Sequence, residues 1–354
     1  MQTAAAKLNY DILAVDLDGT LLGPDGKVSA GNAAAVREAR ARGLEVVITT
    51  GRGLVESGYA IGAIEADVPA KGRDVAPIVC AGGAMLCDAR SGKTIHRWAM
   101  QRPLVRRLCD HFAAAGRAPL LLKDRDAAGF DYLVINSGPI EYPTQWWFNA
   151  MPVLVKFIDH VDHDEHPEHT VRVGFAAEAG VMLELARSVK EAFGRETTTQ
   201  HFAAVAGTKD AKPPVPAPPG GTGFQPVMTQ ASISQAAHPS TQPTSDPRAH
   251  ATQGEAGIKH DHIHLLEVFD PQVNKWTAVH RLALEQGVPR ERIACIGDEV
   301  NDLAMIEGAA ACGGLGIAMG NAIDAVKKAA NAQTESFRED GLARAIERIL
   351  RGEW

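Results

Sequence analysis

Cysteine is scarce in this sequence and follows no pairing pattern: Cys80, Cys87, Cys109, Cys295 and Cys312 are odd in number and form no CxxC motif. A disulfide framework is therefore not expected, and the five fit free thiols in a reducing compartment, acting as small buried hydrophobic groups. Long hydrophobic runs are missing as well. No segment approaches the roughly 20 apolar residues of a membrane span, and Met1 to Tyr10 lacks the apolar stretch of a signal peptide. A cytoplasmic protein without membrane contact is expected. Positive charge is not in excess: the formal net charge is -7, with acids and bases interspersed, which gives no electrostatic reason for nucleic-acid binding. Aromatic residues make up only 5% of the chain, so their one dense group, Trp146-Trp147-Phe148, stands out.

What is present is length and ordinary apolarity. The 354 residues exceed one compact core and the 45% apolar content can fill at least one, so two domains plus some unstructured chain are expected. The apolar run Tyr10 to Val15 predicts a buried strand that ends in the polar turn Asp16-Leu17-Asp18-Gly19-Thr20. Asn32 to Arg42 has helical period, Gly43 ends it, and Leu44 to Thr49 is a short β-branched strand, which together imply a parallel pair with a right-handed crossover. Pro77 to Cys80 predicts a third strand. The rhythm then changes through Gly82-Gly83-Ala84 to a strand at Met85 to Cys87 and a turn at Ala89 to Gly92, which places a domain boundary near Asp88.

From residue 89 to about 271 strands at Tyr132 to Ile135, Val153 to Ile158 and Val171 to Phe175 mix with helices at Pro103 to Ala115 and Ala179 to Phe193, the pattern of an inserted α+β domain. Within it, residues 206–258 are rich in Pro, Ser, Thr, Gln and Gly and poor in large apolar groups, which predicts a disordered excursion between two strands. Alternation then returns: strand His262 to Phe269, helix Asn274 to Gln286, strand Arg292 to Ile296, helix Asn301 to Gly308, strand Leu315 to Met319, and helices from Ala322 and Leu342. The first domain is thus discontinuous, residues 1–88 and 272–354, a doubly wound parallel α/β sheet.

Asp16 and Asp18, two apart where a strand gives way to a turn, suit a nucleophile and a general acid/base facing one pocket, although an Asp-rich turn taken alone is also simply a turn. Downstream, Gly297-Asp298-Glu299-Val300-Asn301-Asp302 is a second acidic strand-to-helix junction on the same sheet edge. Acids converging there would repel by roughly 4 kcal/mol per close pair at an effective dielectric near 20. A cation is required, and an all-oxygen donor set selects a hard one such as Mg²⁺. Thr50-Gly51-Arg52, directly after a strand, offers a hydroxyl and free N–H groups to a phosphate, or alternatively a helix N-cap. Lys275, at the start of a helix, sits against the positive end of its dipole, which favours a nearby anion unless the side chain is merely solvated.

With those four segments in place the sequence resembles the haloacid dehalogenase superfamily, and within it the Cof-type phosphatases, whose cap domain is inserted after the third core strand. The resemblance rests on Asp16-Leu17-Asp18-Gly19-Thr20-Leu21-Leu22, Thr50-Gly51-Arg52, Lys275, Gly297-Asp298 through Asn301-Asp302, and Ala318-Met319-Gly320-Asn321-Ala322. It implies a Rossmann-like core with an inserted C2-type cap and a magnesium-dependent phosphatase acting on a small phosphorylated metabolite, sugar phosphates foremost, through an aspartyl-phosphate. By position it makes Asp16 the nucleophile and a metal ligand. Asp18 would protonate the leaving oxygen, deprotonate water and lend its carbonyl to the metal. Thr50, Gly51, Arg52, Lys275 and Asn301 would surround the phosphoryl group, with Lys275 also restraining Asp16. Asp298 would bind Mg²⁺ directly and Asp302 through water. Two residues depart from the family pattern: Gly82 stands where Asn is usual, and Trp276 where a small residue is common.

Other residues carry less. His160, His163, His166 and His169 are interrupted by Pro167 and acids, as in a solvated loop, and His260, His262 and His264 alternate as on one strand face. Trp146, Trp147 and Phe148 favour core packing over substrate contact. Two further readings stay open: a phosphomutase with the same intermediate, and a binding protein that meets a protein partner through residues 206–258.

Overall fold

The computed structural model describes residues 8–203 and 263–354. The excursion expected at 206–258 lies outside the described residues, as do His260 and His262. The first stretch runs β1 (Ile12–Asp16), α1 (Ala30–Ala41), β2 (Glu45–Thr49), α2 (Gly58–Ala63), β3 (Pro77–Cys80), β4 (Met85–Asp88) and β5 (Thr94–Arg97). Ser29 caps α1 by accepting from the Asn32 N–H at 3.0 Å. The inserted stretch runs α3 (Arg102–Ala114), β6 (Leu120–Lys123), α4 (Arg125–Ala128), β7 (Tyr132–Ile135), α5 (Tyr142–Ala150), β8 (Val155–Ile158), β9 (Thr170–Glu178), α6 (Ala179–Phe193), β10 (Thr198–Ala203) and β11 (Ile263–Phe269). The return comprises α7 (Lys275–Gln286), β12 (Ile293–Gly297), α8 (Leu303–Ala311), β13 (Leu315–Ala318), α9 (Asp324–Ala329), β14 (Ala332–Gln333) and α10 (Gly341–Arg351).

Two sheets result. The core sheet has the order β14-β13-β12-β1-β2-β3-β4-β5, parallel from β14 to β3 and antiparallel beyond. It is a Rossmann-like α/β core, and its central strands are buried on both faces, which is why they read as continuous apolar runs. The β4–β5 hairpin crosses the boundary expected near Asp88, so that β5, on the far side of that line, still belongs to the core sheet.

The cap sheet has the order β10-β11-β9-β6-β7-β8. One face packs against α3 and α6 through Leu108, Phe112, Val173, Met182, Val189 and Val268. The other face, with Leu122, Tyr132 and Val171, joins the hydrophobic cluster of the core. The cap is therefore seated on the carboxyl edge of the core sheet. Four of the five cysteines are buried and all five are free thiols.

Candidate active site

Strand register assembles the centre. β1 lies between β12 and β2, with Val15 opposite Ile296 and Asp16 opposite Thr49. The three chains therefore leave the sheet side by side, and the turn after Asp16, the loop after Thr49 and the junction after Gly297 share one edge. Two glycines permit the approach. A Cβ on Gly19 (φ +86°) would lie 2.3 Å from Asp298 Oδ2, and one on Gly297 would lie 2.4 Å from Asp302 Cγ.

Lys275 enters from the start of α7. Asn274 caps that helix, its Oδ1 accepting from the Thr277 N–H at 2.9 Å. The bend at 81–83 abuts the same point: a Cβ on Gly83 (φ +102°) would lie 2.2 Å from the Asn274 carbonyl oxygen. Fully buried, the Lys275 ammonium donates to Asp16 Oδ1 at 2.5 Å and to Asp302 Oδ1 at 2.6 Å. The other Asp302 oxygen accepts from the N–H groups of Asp298 and Glu299 at 3.0 and 3.1 Å, so it holds the second acidic loop in shape. Asp298 accepts from Thr20 Oγ1 at 3.2 Å and from Asn321 Nδ2 at 2.9 Å.

One ligand oxygen from each of Asp16, Asp298 and Asp302 lies within 4.8 Å of the others, and all three residues are buried. Three carboxylates share one ammonium. Burial, then Asp302, push the Asp16 carboxyl up to about 8 against the pull of Lys275; burial, then Asp16 and Asp302, push Asp298 up to about 9. Asp16 Oδ2 and Asn301 Oδ1 are buried without a hydrogen-bond partner among the described residues. An orphaned carboxylate oxygen beside a second, crowded carboxylate, with oxygen donors only, fits a hard divalent cation.

Asp18 lies at the mouth, gripped by both Nε and Nη2 of Arg52, the former at 2.9 Å. The Arg52 guanidinium lies 5.6 Å from the centre of the Trp147 ring. Thr50 is buried and its Oγ1 accepts from the Arg52 N–H at 3.1 Å, a local turn that leaves the N-cap alternative unrealised. All the residues expected around a phosphate, Thr50, Gly51, Arg52, Lys275 and Asn301, belong to the loops at this edge or to the start of α7.

A cavity of about 380 Å³ opens from Asp16 and Asp18 toward the cap. Its walls are largely apolar, and Trp146, Trp147, Phe148, Phe202 and Leu265 contribute to them, so the aromatic group on α5 does more than pack a core. Between cavity and core runs a polar network that the sequence did not announce. Arg172, on β9, donates to the Gly51 carbonyl at 2.7 Å and to Tyr132 Oη at 3.1 Å, and pairs with Glu267 on β11. Tyr132 Oη and Trp147 Nε1 donate to Glu56 Oε1 at 3.0 and 2.7 Å. The available signal was a charged residue inside an apolar strand: Arg172 between Val171 and Val173, Glu267 between Leu266 and Val268. Asn321 lay in a segment singled out from sequence without a role.

Ligand atoms of His166, Glu168 and His169 lie within 4.8 Å of one another, but Glu168 is exposed and already contacts His169 at 3.0 Å; His160 and His163 meet each other edge to face, ring centres 6.3 Å apart, and do not join that group.

A sequence model of the haloacid dehalogenase-like hydrolases matches residues 13–202 and 237–346. The chain is similar to the 5-amino-6-(5-phospho-D-ribitylamino)uracil phosphatase YitU of Bacillus subtilis, 47% identical over 83 residues, which are 23% of this chain and 29% of that protein. The match thus spans under a third of that relative. Over nearly the whole chain the fold is that of a haloacid dehalogenase-like hydrolase from Bacteroides thetaiotaomicron, with TM-score 0.64 and 20% identity, covering 96% of this chain and 99% of the other. It is also that of a subclass IIB sugar phosphatase, with TM-score 0.62 and 15% identity, covering 96% and 98%.

Proposed function

This chain belongs to the haloacid dehalogenase-like hydrolases, and from that premise we propose that it is a magnesium-dependent phosphatase that hydrolyses a small phosphorylated metabolite through an aspartyl-phosphate. The observation that carries the reading is Asp16 itself: Oδ1 is fixed by Lys275, while Oδ2 is buried, unpartnered among the described residues, and belongs to a side chain lining the cavity. A carboxylate held at one oxygen with the other free is an oriented nucleophile.

Asp16 attacks phosphorus, forming a bond from its free oxygen as the bond to the ester oxygen breaks. Asp18, released by Arg52, gives that oxygen its proton. Water then attacks the phosphoryl group, Asp18 recovers a proton from it, and the bond to Asp16 breaks to free inorganic phosphate. Lys275 and the Thr50 hydroxyl hold phosphoryl oxygens, the Gly51 N–H and the Asn301 amide complete the cradle, and the Arg52 N–H joins them by turning from Thr50 Oγ1. Asp16 and Asp298, with the Asp18 carbonyl and with Asp302 through water, would hold Mg²⁺, which neutralises charge on the phosphoryl oxygens and carboxylates when bound. Sugar phosphates stand first among substrates, since a sugar ring has a C–H face for the aromatic wall and hydroxyls for the polar floor.

Phosphate release from a panel of phosphorylated metabolites in the presence of Mg²⁺ tests this. Asp16→Asn should lose at least about a thousandfold in kcat, and activity retained by that variant removes Asp16 from the nucleophile's place. Release of free phosphate, with no need of a bisphosphorylated activator, separates a phosphatase from a mutase.

A further inference from the structure

Among the described residues that line the cavity, Glu267 is the one carboxylate from the cap, and its two oxygens are treated differently. It lies on β11, is 5% exposed and lines the cavity. Oε1 is paired with Arg172, whereas Oε2 is buried with no donor among the described residues. Every other group in that network is engaged: Arg172 holds Gly51 and Tyr132, and Glu56 takes the Gly53 N–H, Tyr132 and Trp147. Gly51 faces this carboxylate: a Cβ there would lie in ordinary contact with Glu267 Oε2 at 3.6 Å, Oε1 at 3.7 Å and Asn301 Nδ2 at 3.9 Å, so the glycine leaves room beside the free oxygen. A buried carboxylate oxygen without a donor is costly, and such sites discriminate strongly against ligands that fail to supply one.

We propose that Glu267 is a specificity-determining residue that selects leaving groups carrying an O–H or N–H donor, which its Oε2 accepts while the aromatic wall of Trp146, Trp147 and Phe202 takes the flat or apolar face of the same group. The inference rests on the phosphatase reading and deepens it at the substrate's far end. Arg172 fixes Glu267 by Oε1 and anchors the loop of Gly51, so the carboxylate that selects the leaving group and the loop that takes the phosphoryl group are held in one rigid frame.

The test uses aminophenyl phosphates and fluorophenyl phosphates, substituted at the ortho, meta and para positions in turn. The paired esters are close in size, and only the first supplies a donor. The full chain with Mg²⁺ should favour the amino ester by about tenfold in kcat/KM at one ring position at least. In Glu267→Gln the amide carbonyl must face Arg172, which has only donors, so an N–H₂ group replaces Oε2. That ratio should fall to about one, whereas loss of a merely structural contact lowers both esters together and leaves the ratio intact. A ratio near one in the unaltered chain at all three positions overturns the proposal without any variant, as does an unchanged ratio in a folded Glu267→Gln. Quenching of tryptophan fluorescence gives Kd for the same esters independently of turnover. Absence of phosphate release from every ester then counts against the phosphatase reading, while the Kd ratio still decides the role of Glu267.

Discussion

Without Lys275, Asp16 and Asp302 would face each other inside the protein with no ammonium between them. Lys275→Met, of similar length, removes the shared cation and leaves two buried carboxylates uncompensated, a change worth about 3–5 kcal/mol. Urea denaturation of the metal-free protein should show that loss, together with loss of phosphate release; undiminished stability would mean that another group supplies the charge. Neighbouring residues explain the two departures from the family pattern. Gly82 has φ +64°, and a Cβ on it would lie 2.7 Å from Phe269 Cζ, so the phenyl ring at the end of β11 fills the place that a side chain at 82 would need. Trp276 turns away from the centre: it stacks on His280 at 5.7 Å and covers Gly308, where a Cβ would meet its ring at 2.4 Å. The meeting of Asp16, Asp298, Asp302 and Lys275 was legible from sequence because strand-ending turns and helix starts advertise themselves. Glu267 and Arg172 were not, because their role depends on which strands pair, and pairing across β9 and β11 is a long-range choice.

Among elements, the bend at 81–83 determines where α7 begins. Gly83 and Gly92 both have positive φ, but a Cβ on Gly83 would strike the Asn274 backbone at 2.2 Å, while one on Gly92 meets nothing within 4 Å. Gly92→Ala should therefore cost only the backbone strain of about 1 kcal/mol. Gly83→Ala should cost roughly 3 kcal/mol or more and, by displacing the start of α7, lower kcat as well. Equal stability losses in denaturant titrations would show that the bend does not position the helix. The same scale shows where local pattern fails. β10, with the sequence Thr198-Thr199-Gln200-His201-Phe202-Ala203, has no apolar run and is half-buried up to an exposed Ala203, so its place as an edge strand comes from pairing with β11. β5 is a short edge strand of the same kind, and the core sheet accordingly runs past the line drawn at Asp88. β6, by contrast, is a short apolar run, which periodicity alone does not separate from a buried helix segment.

For the whole molecule, the acid cluster ties stability to pH and to metal. The folded-state carboxyls of Asp16 and Asp298 lie at about 8 and about 9 against an ordinary 3.8, so the folded protein binds more protons than the unfolded chain between those limits. Their contribution to stability is greatest below about pH 4 and declines as pH rises through about 8 to 9. Divalent cation competes with the protons and offsets the decline. At a Mg²⁺ concentration a hundred times its Kd at pH 8, stabilisation there should be about 2.7 kcal/mol, and the same concentration should stabilise less at pH 5, where protons raise Kd. Thermal unfolding with Mg²⁺ and with chelator at both pH values measures this, and a Mg²⁺ shift equal at the two would detach the cation from these carboxylates. Among the described residues no helix is long and apolar enough to cross a membrane.

Lys275 and Asp16 are 259 positions apart in sequence, and β1 is flanked by a strand from each end of the chain. During synthesis the first strand emerges long before β12 can pair with it, and its carboxylate waits without the ammonium that will later hold it. A ribosome that stalls before residue 275 therefore yields a product with Asp16 but neither its counterion nor the second acidic loop. On the proposed mechanism such an interrupted chain releases no phosphate, and the centre is complete only when the last quarter of the polypeptide has closed the sheet.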